Sequence, residues 1–498
     1  MTRPALARCA LLGVTGATLV LVGAAQAASP FVSKVPGSWF FGVPGAARPG
    51  ATDGAAVSLG VLCVWTGIAV LLVAWYRIVR ATPSPTVTPR ALMGVLGAWL
   101  VPVALCPPLF SRDVYAYVAQ GELLAHGISP YRRGPAALAD PGIVSLVDPM
   151  WRHATAPYGP LFMGVSELSV TVARHHALAA VAVLRVVCVA SVGVVALATA
   201  VIARAVDADP GRAVALVALN PLVVLVFVGG AHNDALMVAF LAAGVACAAR
   251  RRAAAGIVLC AVGAAVKVPA LVGVLYIGWV WAGPGAPLRA RLERLAGAVA
   301  LGAGTLALCG GLAGLGWGWL WHVTGPGAVV SWLDPATAAG LIVNHAGAAL
   351  GLGAHQDLTV RAARAVALAV TLAGALVLVG RAPRHRGPDA VGWSLLLAAV
   401  LGPVVWPWYA AWSVPFLATA SRRAQAVVVV VSTWACFADV PPGRTLWGSG
   451  ASVMALGVAA GVAVVVTAWR VGDPAALPGV LRRGGARRRA GVDGGAGP

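Results

Sequence analysis

Residues 111–135 read SRDVYAYVAQGELLAHGISPYRRGP, and residues 147–162 read VDPMWRHATAPYGPLF. Both belong to a polar island, 111–158, that holds Asp113, Glu122, Asp140 and Asp148, four of the sixteen acidic residues of the chain. Apolar runs rich in Ala and Leu flank the island and recur from residue 8 to residue 470. A run of about 20 apolar residues is long enough to cross a bilayer as a helix. In lipid every backbone polar group must be paired within the protein, which leaves helices or a closed barrel. Strand-like alternation is absent, so the expected fold is all-α: a polytopic transmembrane helical protein with about 11–13 spans. The island is then a large extracytoplasmic loop.

Composition narrows the class further. The chain has 498 residues, 60% of them hydrophobic and 10% charged, against roughly 25% charged in soluble proteins. The net charge of +20 comes almost wholly from arginine, since Lys34 and Lys267 are the only lysines. The arginines sit in short clusters between apolar runs, the pattern that sets membrane orientation. A nucleic-acid ligand would need a basic face with groove-reading elements, and none is present. Eight scattered cysteines without a C-x-x-C pair indicate neither a zinc site nor a disulfide framework.

The basic clusters predict a topology. Arg3 and Arg8 place the N-terminus in the cytoplasm, and the run after them is read as an uncleaved first helix (8–28), although Ala25-Gln26-Ala27 resembles a processing site. An external segment, 29–57, follows. Helix 58–76 returns to Arg77, Arg80 and Arg90, and helix 91–110 delivers Asp113 to the outer face. A helix from Tyr158 is expected to end inside at Arg174-His175-His176, with Glu167 and Arg185 paired across that turn. Asn220-Pro221 splits the next run into two half-helices expected to dip in and return, because proline lacks the N–H that continues a helix. That arrangement sets His232, Asn233 and Asp234 outside. Residues 253–282, interrupted at Lys267-Val268-Pro269, are read as a re-entrant pair, and 336–358 as interfacial. Residues 1–470 are taken as one membrane domain with 111–158 as its catalytic loop. Residues 471–498, rich in Gly and Arg, are taken as a basic, disordered cytoplasmic tail.

Several polar groups require an explanation. Asp113, just past an apolar helix, suits a general base at the interface. It also suits a helix-end acid paired with Arg112. His232-Asn233-Asp234 opens a helix after Gly229-Gly230, a setting that caps the helix and favours an anionic group near exposed N–H groups. A charge at membrane depth usually faces a cavity or a partner. Lys267, in a chain whose default cation is arginine, therefore suits a compact point charge for phosphate or a snorkelling side chain. Asp207-Ala208-Asp209 matches D-x-D, a weak three-residue pattern with no nucleotide-binding domain to host it. Trp317, Trp319, Trp321, Trp332 and Trp406-Pro407-Trp408-Tyr409 fit an interfacial belt, an isoprenoid path or a sugar platform.

DVYAYVAQGELLAHGISPYRRGP, DPMWRHATAPYGPLF, NPLVVLVFVGGAHNDALM, VKVPA and WPWYAAW follow one another in this order. Together they resemble the actinobacterial polyprenol-phosphomannose-dependent α-(1→6)-mannosyltransferases, integral membrane glycosyltransferases of the GT-C superfamily, over roughly residues 90–440. The resemblance implies a GT-C fold in the plasma membrane and an external active site. It implies polyprenyl-phosphate mannose as donor and a lipid-anchored mannan as acceptor, as in lipomannan assembly. It implies Asp113 as the catalytic carboxylate. With that mechanism Lys267, His232, Arg132 and Arg133 become candidates to stabilise the departing phosphate, Lys267 and His232 first, and Asp234, Tyr158, Trp408 and Tyr409 further candidates for donor or substrate binding. No metal site and no cofactor are expected. The alternatives are a GT-C transferase for another lipid-linked sugar, and a lipid or polysaccharide transporter.

Overall fold

The computed structural model describes residues 1–25, 54–322, 329–332, 334–382 and 387–438. Gln26-Ala27 of the processing-like site, most of segment 29–57, Arg384 and Arg386, the spans expected after 438 and the tail 471–498 lie outside the described residues.

Among those residues there are helices and no strands. In chain order they are α1 (Arg3–Ala24), α2 (Gly54–Arg80), α3 (Pro89–Leu105), α4 (Asp113–Ala125), α5 (Pro141–Leu146), α6 (Pro160–Val172), α7 (Ala177–Ala205), α8 (Pro210–Ala218) and α9 (Asp234–Ala249). Then follow α10 (Ala253–Ala264), α11 (Leu271–Val280), α12 (Leu288–Leu312), α13 (Pro335–Ala349), α14 (Gln356–Arg381), α15 (Asp389–Leu401), α16 (Val414–Leu417) and α17 (Arg422–Ala438). Local sequence sets many of the starts. Thr88 accepts the Ala91 N–H and Asp209 accepts the Arg212 N–H, each just before a proline at the first helical position.

The chain is a multi-pass membrane protein. Among the described residues, five helices of 19 to 29 residues are long and apolar enough to cross a membrane. The pair Pro210–Ala218 and Val223–Gly229 makes a sixth when its two bent halves are counted as one span. Six further apolar helices have 10–17 residues. The expected all-α, polytopic membrane architecture is present in the described residues, where several of its apolar segments are short or interrupted helices.

The helix bundle has two distinct ends. At one, the Met1 carbonyl meets Ser84 and Thr86, Arg212 donates to the Val79 carbonyl at 2.9 Å and to Gln425 at 2.6 Å, and Arg291 donates to Gly283 at 2.8 Å. Asp209 of the D-x-D pattern caps α8 at this arginine end. At the other end lie Asp113, His232 and Lys267.

Four expectations are corrected. The island 111–158 is not an open loop, because α4 is buried along Val114–Leu123. It packs alongside α6 so closely that a Cβ at Gly121 would overlap the Ser166 carbonyl. The Arg174-His175-His176 turn lies beyond the site end, not at the arginine end. His175 contacts Glu122 at 2.8 Å, and α7 passes the site only at Arg185 and Cys188 before reaching Arg204. At 13 residues, α6 rises about 20 Å, too little to cross. Glu167 and Arg185 form no ion pair, since Arg185 donates to four carbonyls instead. Finally, the halves around Asn220-Pro221 are bent by 51°, which carries the chain onward to the site end instead of folding it back. Asn220 Oδ1 accepts the Leu222 N–H at 3.0 Å and its amide donates to Ser432 at 2.8 Å, so the break is hydrogen-bonded internally. Residues 253–282 do turn back: Gly256 meets Ile277 and Cys260 meets Gly273, so α10 and α11 form a hairpin with Lys267 at its apex. Most of the stretch expected to be interfacial, 336–358, is α13.

Candidate active site

The site begins with a guanidinium. The last carbonyls of a helix lack partners within it. Arg185, on α7 and 4% exposed, donates to the carbonyls of Ala104 (2.9 Å) and Cys106 (2.6 Å) at the end of α3. It also donates to Val228 (3.1 Å) and Gly229 (2.7 Å) at the end of the π-helical segment Val223–Gly229. One buried cation thus joins two helix ends. The segments that leave those ends carry Asp113 and His232, and the Leu109 N–H donates to the Gly229 carbonyl at 3.1 Å to join them again.

Asp113 is the first residue of α4, and its N–H donates to Ser111 Oγ at 3.0 Å. An acid is favoured at the positive end of a helix. After the π segment, Ala231 takes a left-handed φ of 53°. Such strain in a non-glycine residue persists only where the surroundings hold it. The turn sets His232 with Nδ1 3.8 Å from Asp113 Oδ2. His232 is fully buried, its ring lies 4.5 Å from that of Trp408, and neither ring nitrogen has a hydrogen-bond partner among the described residues.

Asp234 starts α9. Its Oδ1 accepts from Lys267 Nζ at 2.7 Å and from Trp412 Nε1 at 2.6 Å. Lys267 Nζ also lies 4.5 Å from the Tyr409 ring centre and 5.2 Å from that of Trp412, within cation–π range. Asn233 Oδ1 accepts from the Tyr117 hydroxyl at 3.4 Å. Tyr117 sits edge-on to Tyr158 at 5.2 Å, and the Tyr158 carbonyl accepts from Tyr131 at 2.9 Å. The Gly159 N–H donates to the Val266 carbonyl at 3.0 Å, so the strand of chain carrying Tyr158 runs directly against the one carrying Lys267. Gly159 is required there, because a Cβ would overlap the Ala265 backbone.

The Asp113 side chain is 19% exposed and that of Lys267 16%; Tyr158 and Tyr409 are also half-buried, whereas His232, Asp234 and Trp408 are buried. Burial pushes the Asp113 carboxyl up to about 6, with Asp234 and Asp148 adding to the rise and Lys267 and Ser111 opposing it. Burial likewise pushes the His232 imidazole down to about 4, which leaves it neutral near pH 7. A carboxylate whose proton affinity approaches neutrality, beside a neutral imidazole and an ammonium, is equipped to take a proton from a hydroxyl while charge develops nearby.

Seven of the nine residues singled out in the sequence come together here: Asp113, His232, Asp234, Lys267, Tyr158, Trp408 and Tyr409. Arg132 and Arg133 are exposed, and none of the cluster's contacts involves them. Sequence reading missed Tyr117, Trp412 and Arg185. Tyr117 stands one helical turn after Asp113, and Trp412 three residues after Tyr409, the spacing at which side chains eclipse in a 3₁₀ turn. Those two were therefore open to periodicity, whereas nothing local marks Arg185 as a clasp for carbonyls. Among the described residues no group of His, Cys, Asp and Glu side chains is placed to hold a metal ion.

Two family models together cover most of the chain. Residues 10–283 match the family described as Alpha-(1->6)-mannopyranosyltransferase, N-terminal domain, and residues 336–469 match the MptB C-terminal domain. The chain is 30% identical to Alpha-(1->6)-mannopyranosyltransferase A of Mycobacterium tuberculosis, over 87% of this chain and 84% of that protein. It is 27% identical to Alpha-(1->6)-mannopyranosyltransferase B of Corynebacterium glutamicum, over 88% of this chain and 77% of that protein. Alpha-(1->6)-mannopyranosyltransferase A of the same bacterium is 25% identical over 72% of this chain and 78% of its own length. No solved structure matches the chain.

Proposed function

The chain belongs to the alpha-(1->6)-mannopyranosyltransferase family of glycosyltransferases, and from that premise we propose that it moves mannose from polyprenyl-phosphate mannose to a lipid-anchored mannan, forming α-1,6 linkages with inversion. The observation that carries the reading is the Asp113 carboxylate, partly open and 3.8 Å from a neutral, buried His232, with the Lys267 ammonium in the same cluster. The site lies at the opposite end of the bundle from Arg80, Arg204, Arg212, Arg250-Arg251-Arg252 and Arg422. Basic ends face the cytoplasm, so the site faces the extracytoplasmic side of the plasma membrane. Residues 1–470 are one membrane domain in this reading.

Asp113 takes the proton of the acceptor 6-hydroxyl as that oxygen attacks the anomeric carbon. The bond from the anomeric carbon to the phosphate oxygen breaks, and polyprenyl phosphate departs with the electron pair. A β-linked donor gives an α product by this single displacement. The leaving phosphate gains a negative charge, so it needs cationic and hydrogen-bonding stabilisation more than a proton. Lys267 and His232 supply these, while Tyr158, Trp408 and Tyr409 line the sugar and prenyl-phosphate path.

The test is transfer from radiolabelled polyprenyl-phosphate mannose to a short α-1,6-mannoside by membranes containing this protein, with Asp113→Ala alongside. Label in a lengthened mannoside, released by an exo-α-mannosidase and absent with the variant, supports the reading. Absence of transfer by intact wild-type protein, with transfer from a different polyprenyl-phosphate sugar, overturns the choice of donor.

A further inference from the structure

Asp334 belongs to none of the motifs described above, yet it is fully buried. It immediately precedes α13, where an aspartate ordinarily caps the first turn. Here its side chain makes no capping bond to that helix's own N–H groups. Oδ1 instead accepts the Val405 N–H at 2.5 Å, across 71 residues of sequence. Oδ2 receives the Thr337 hydroxyl at 3.5 Å. Arg364 donates to the Thr337 oxygen from Nε at 3.0 Å and from Nη2 at 2.9 Å. Capping alone needs only a neutral serine or asparagine. Burying a carboxylate costs free energy that must be offset by specific partners; here they are the nearby Arg364 guanidinium, the Thr337 hydroxyl and, as the shortest contact, one distant backbone amide.

That amide opens the segment 405–412. Pro407 has no N–H, and Trp406 is extended, with φ −96° and ψ 130°, as a residue before proline prefers. The segment then makes the contacts that shape the site. Trp406 stacks on Trp408 at 4.9 Å, Trp408 covers His232 at 4.5 Å, and Tyr409 stacks on Trp412 at 4.2 Å under the Lys267 ammonium. Its far end is held by Trp412 Nε1 on Asp234. The segment is therefore tied at each end by a buried aspartate.

We infer that Asp334 is a positioning residue of the transfer site, acting through the Val405 N–H to hold the aromatic segment 405–412 over His232 and Lys267. The inference rests on the reading of the Asp113 cluster as the site of transfer. Its first readout, however, needs no sugar donor. Lys34 and Lys267 are the only lysines, so acylation of purified, monodisperse protein, followed by mass spectrometry, reports the exposure of Lys267 against an internal reference.

Asp334→Ala is expected to speed labelling of Lys267 relative to Lys34 by about fivefold or more, as local opening exposes it. In membranes it is expected to lower kcat for mannosyl transfer by about tenfold to a hundredfold, with the acceptor KM nearly unchanged. Asp334→Asn keeps a carbonyl for the Val405 N–H and is expected to behave like wild type in both assays. Wild-type labelling of Lys267 in the alanine variant overturns the inference, as does an asparagine variant impaired as severely as alanine. Should the alanine variant fail to reach the membrane, Val405→Pro removes the donated N–H and leaves the carboxylate in place. Unchanged Lys267 labelling there overturns the inference, and faster labelling supports it. A wild-type protein that transfers no mannose, but whose Lys267 responds to these substitutions as stated, removes the functional reading and leaves the positioning intact.

Discussion

Asp113→Asn separates the cost of a buried carboxylate from its use. Asparagine keeps the shape of the side chain and removes both the charge and the basicity. The Asp113 carboxyl is pushed up to about 6 from an ordinary 3.8, and each unit corresponds to about 1.4 kcal/mol. The ionised group therefore destabilises the folded protein by up to ~3 kcal/mol. Allowing for a side chain 19% exposed, ~2 kcal/mol is the expected figure. The sign follows from proton binding: between about pH 4 and pH 6 the folded state holds the proton that the unfolded chain releases. Stability thus falls as pH rises through that window and is level above it. Asp113→Asn is expected to melt a few degrees higher than wild type at pH 7.5 in detergent, with the gap closing toward pH 4. The same variant is expected to lose about a hundredfold or more of transfer activity, the contribution of a positioned base. In wild type, kcat/KM should fall as pH falls through about 6. Full activity in the variant, or a melting difference that does not depend on pH, refutes the reasoning.

Three further outcomes test the rest of the site. If the proposed mechanism holds, Lys267→Met should raise the donor KM and lower kcat by about tenfold to a hundredfold, because the departing phosphate would lose its point charge; Lys267→Arg should not restore full activity, since a planar fork does not replace an ammonium seated on Tyr409 and Trp412. Arg185→Leu leaves buried backbone carbonyls without their donor, a loss of about 1–3 kcal/mol for each that finds no other partner, and is read as loss of monodisperse protein in fluorescence-detected size exclusion. Gly159→Ala places a Cβ against the Ala265 backbone; it should cost about 1–3 kcal/mol and reduce transfer by moving Tyr158 away from Lys267, as measured by melting and by the mannoside assay.

Much of the architecture was legible in the chain itself. Membrane helices announce themselves because lipid demands long apolar runs with internal hydrogen bonds, and clustered arginines orient them. Candidate chemistry was legible for a related reason: a carboxylate, a lone lysine and a histidine-acid pair are too costly in such a setting to lack a partner or a purpose. Asp113, His232, Asp234 and Lys267 were visible on that ground, and Tyr158, Trp408 and Tyr409 through the aromatic motifs and the family resemblance, although the seven span 297 positions from 113 to 409.

Partners and levels, by contrast, are properties of three dimensions. The spacing of Glu167 and Arg185 suggested an ion pair across a cytoplasmic turn. A guanidinium has five donors in a fixed fork, however, and the fold offers Arg185 four carbonyls from two helix ends. Because α6 stops after 13 residues, its turn lies beyond the site and the parity of the following helices changes. Composition cannot reveal that, since a short apolar helix and half of a long one have the same residues. Asp334 carries the point furthest: its sequence neighbourhood describes a helix cap, and only the folded chain brings the Val405 amide to its carboxylate. The sequence by itself determined which groups are too polar for lipid, because that depends on each side chain alone. The tertiary structure decided which of them meet, because hydrogen bonds and ion pairs depend on distances set by the packing of helices far apart in the chain.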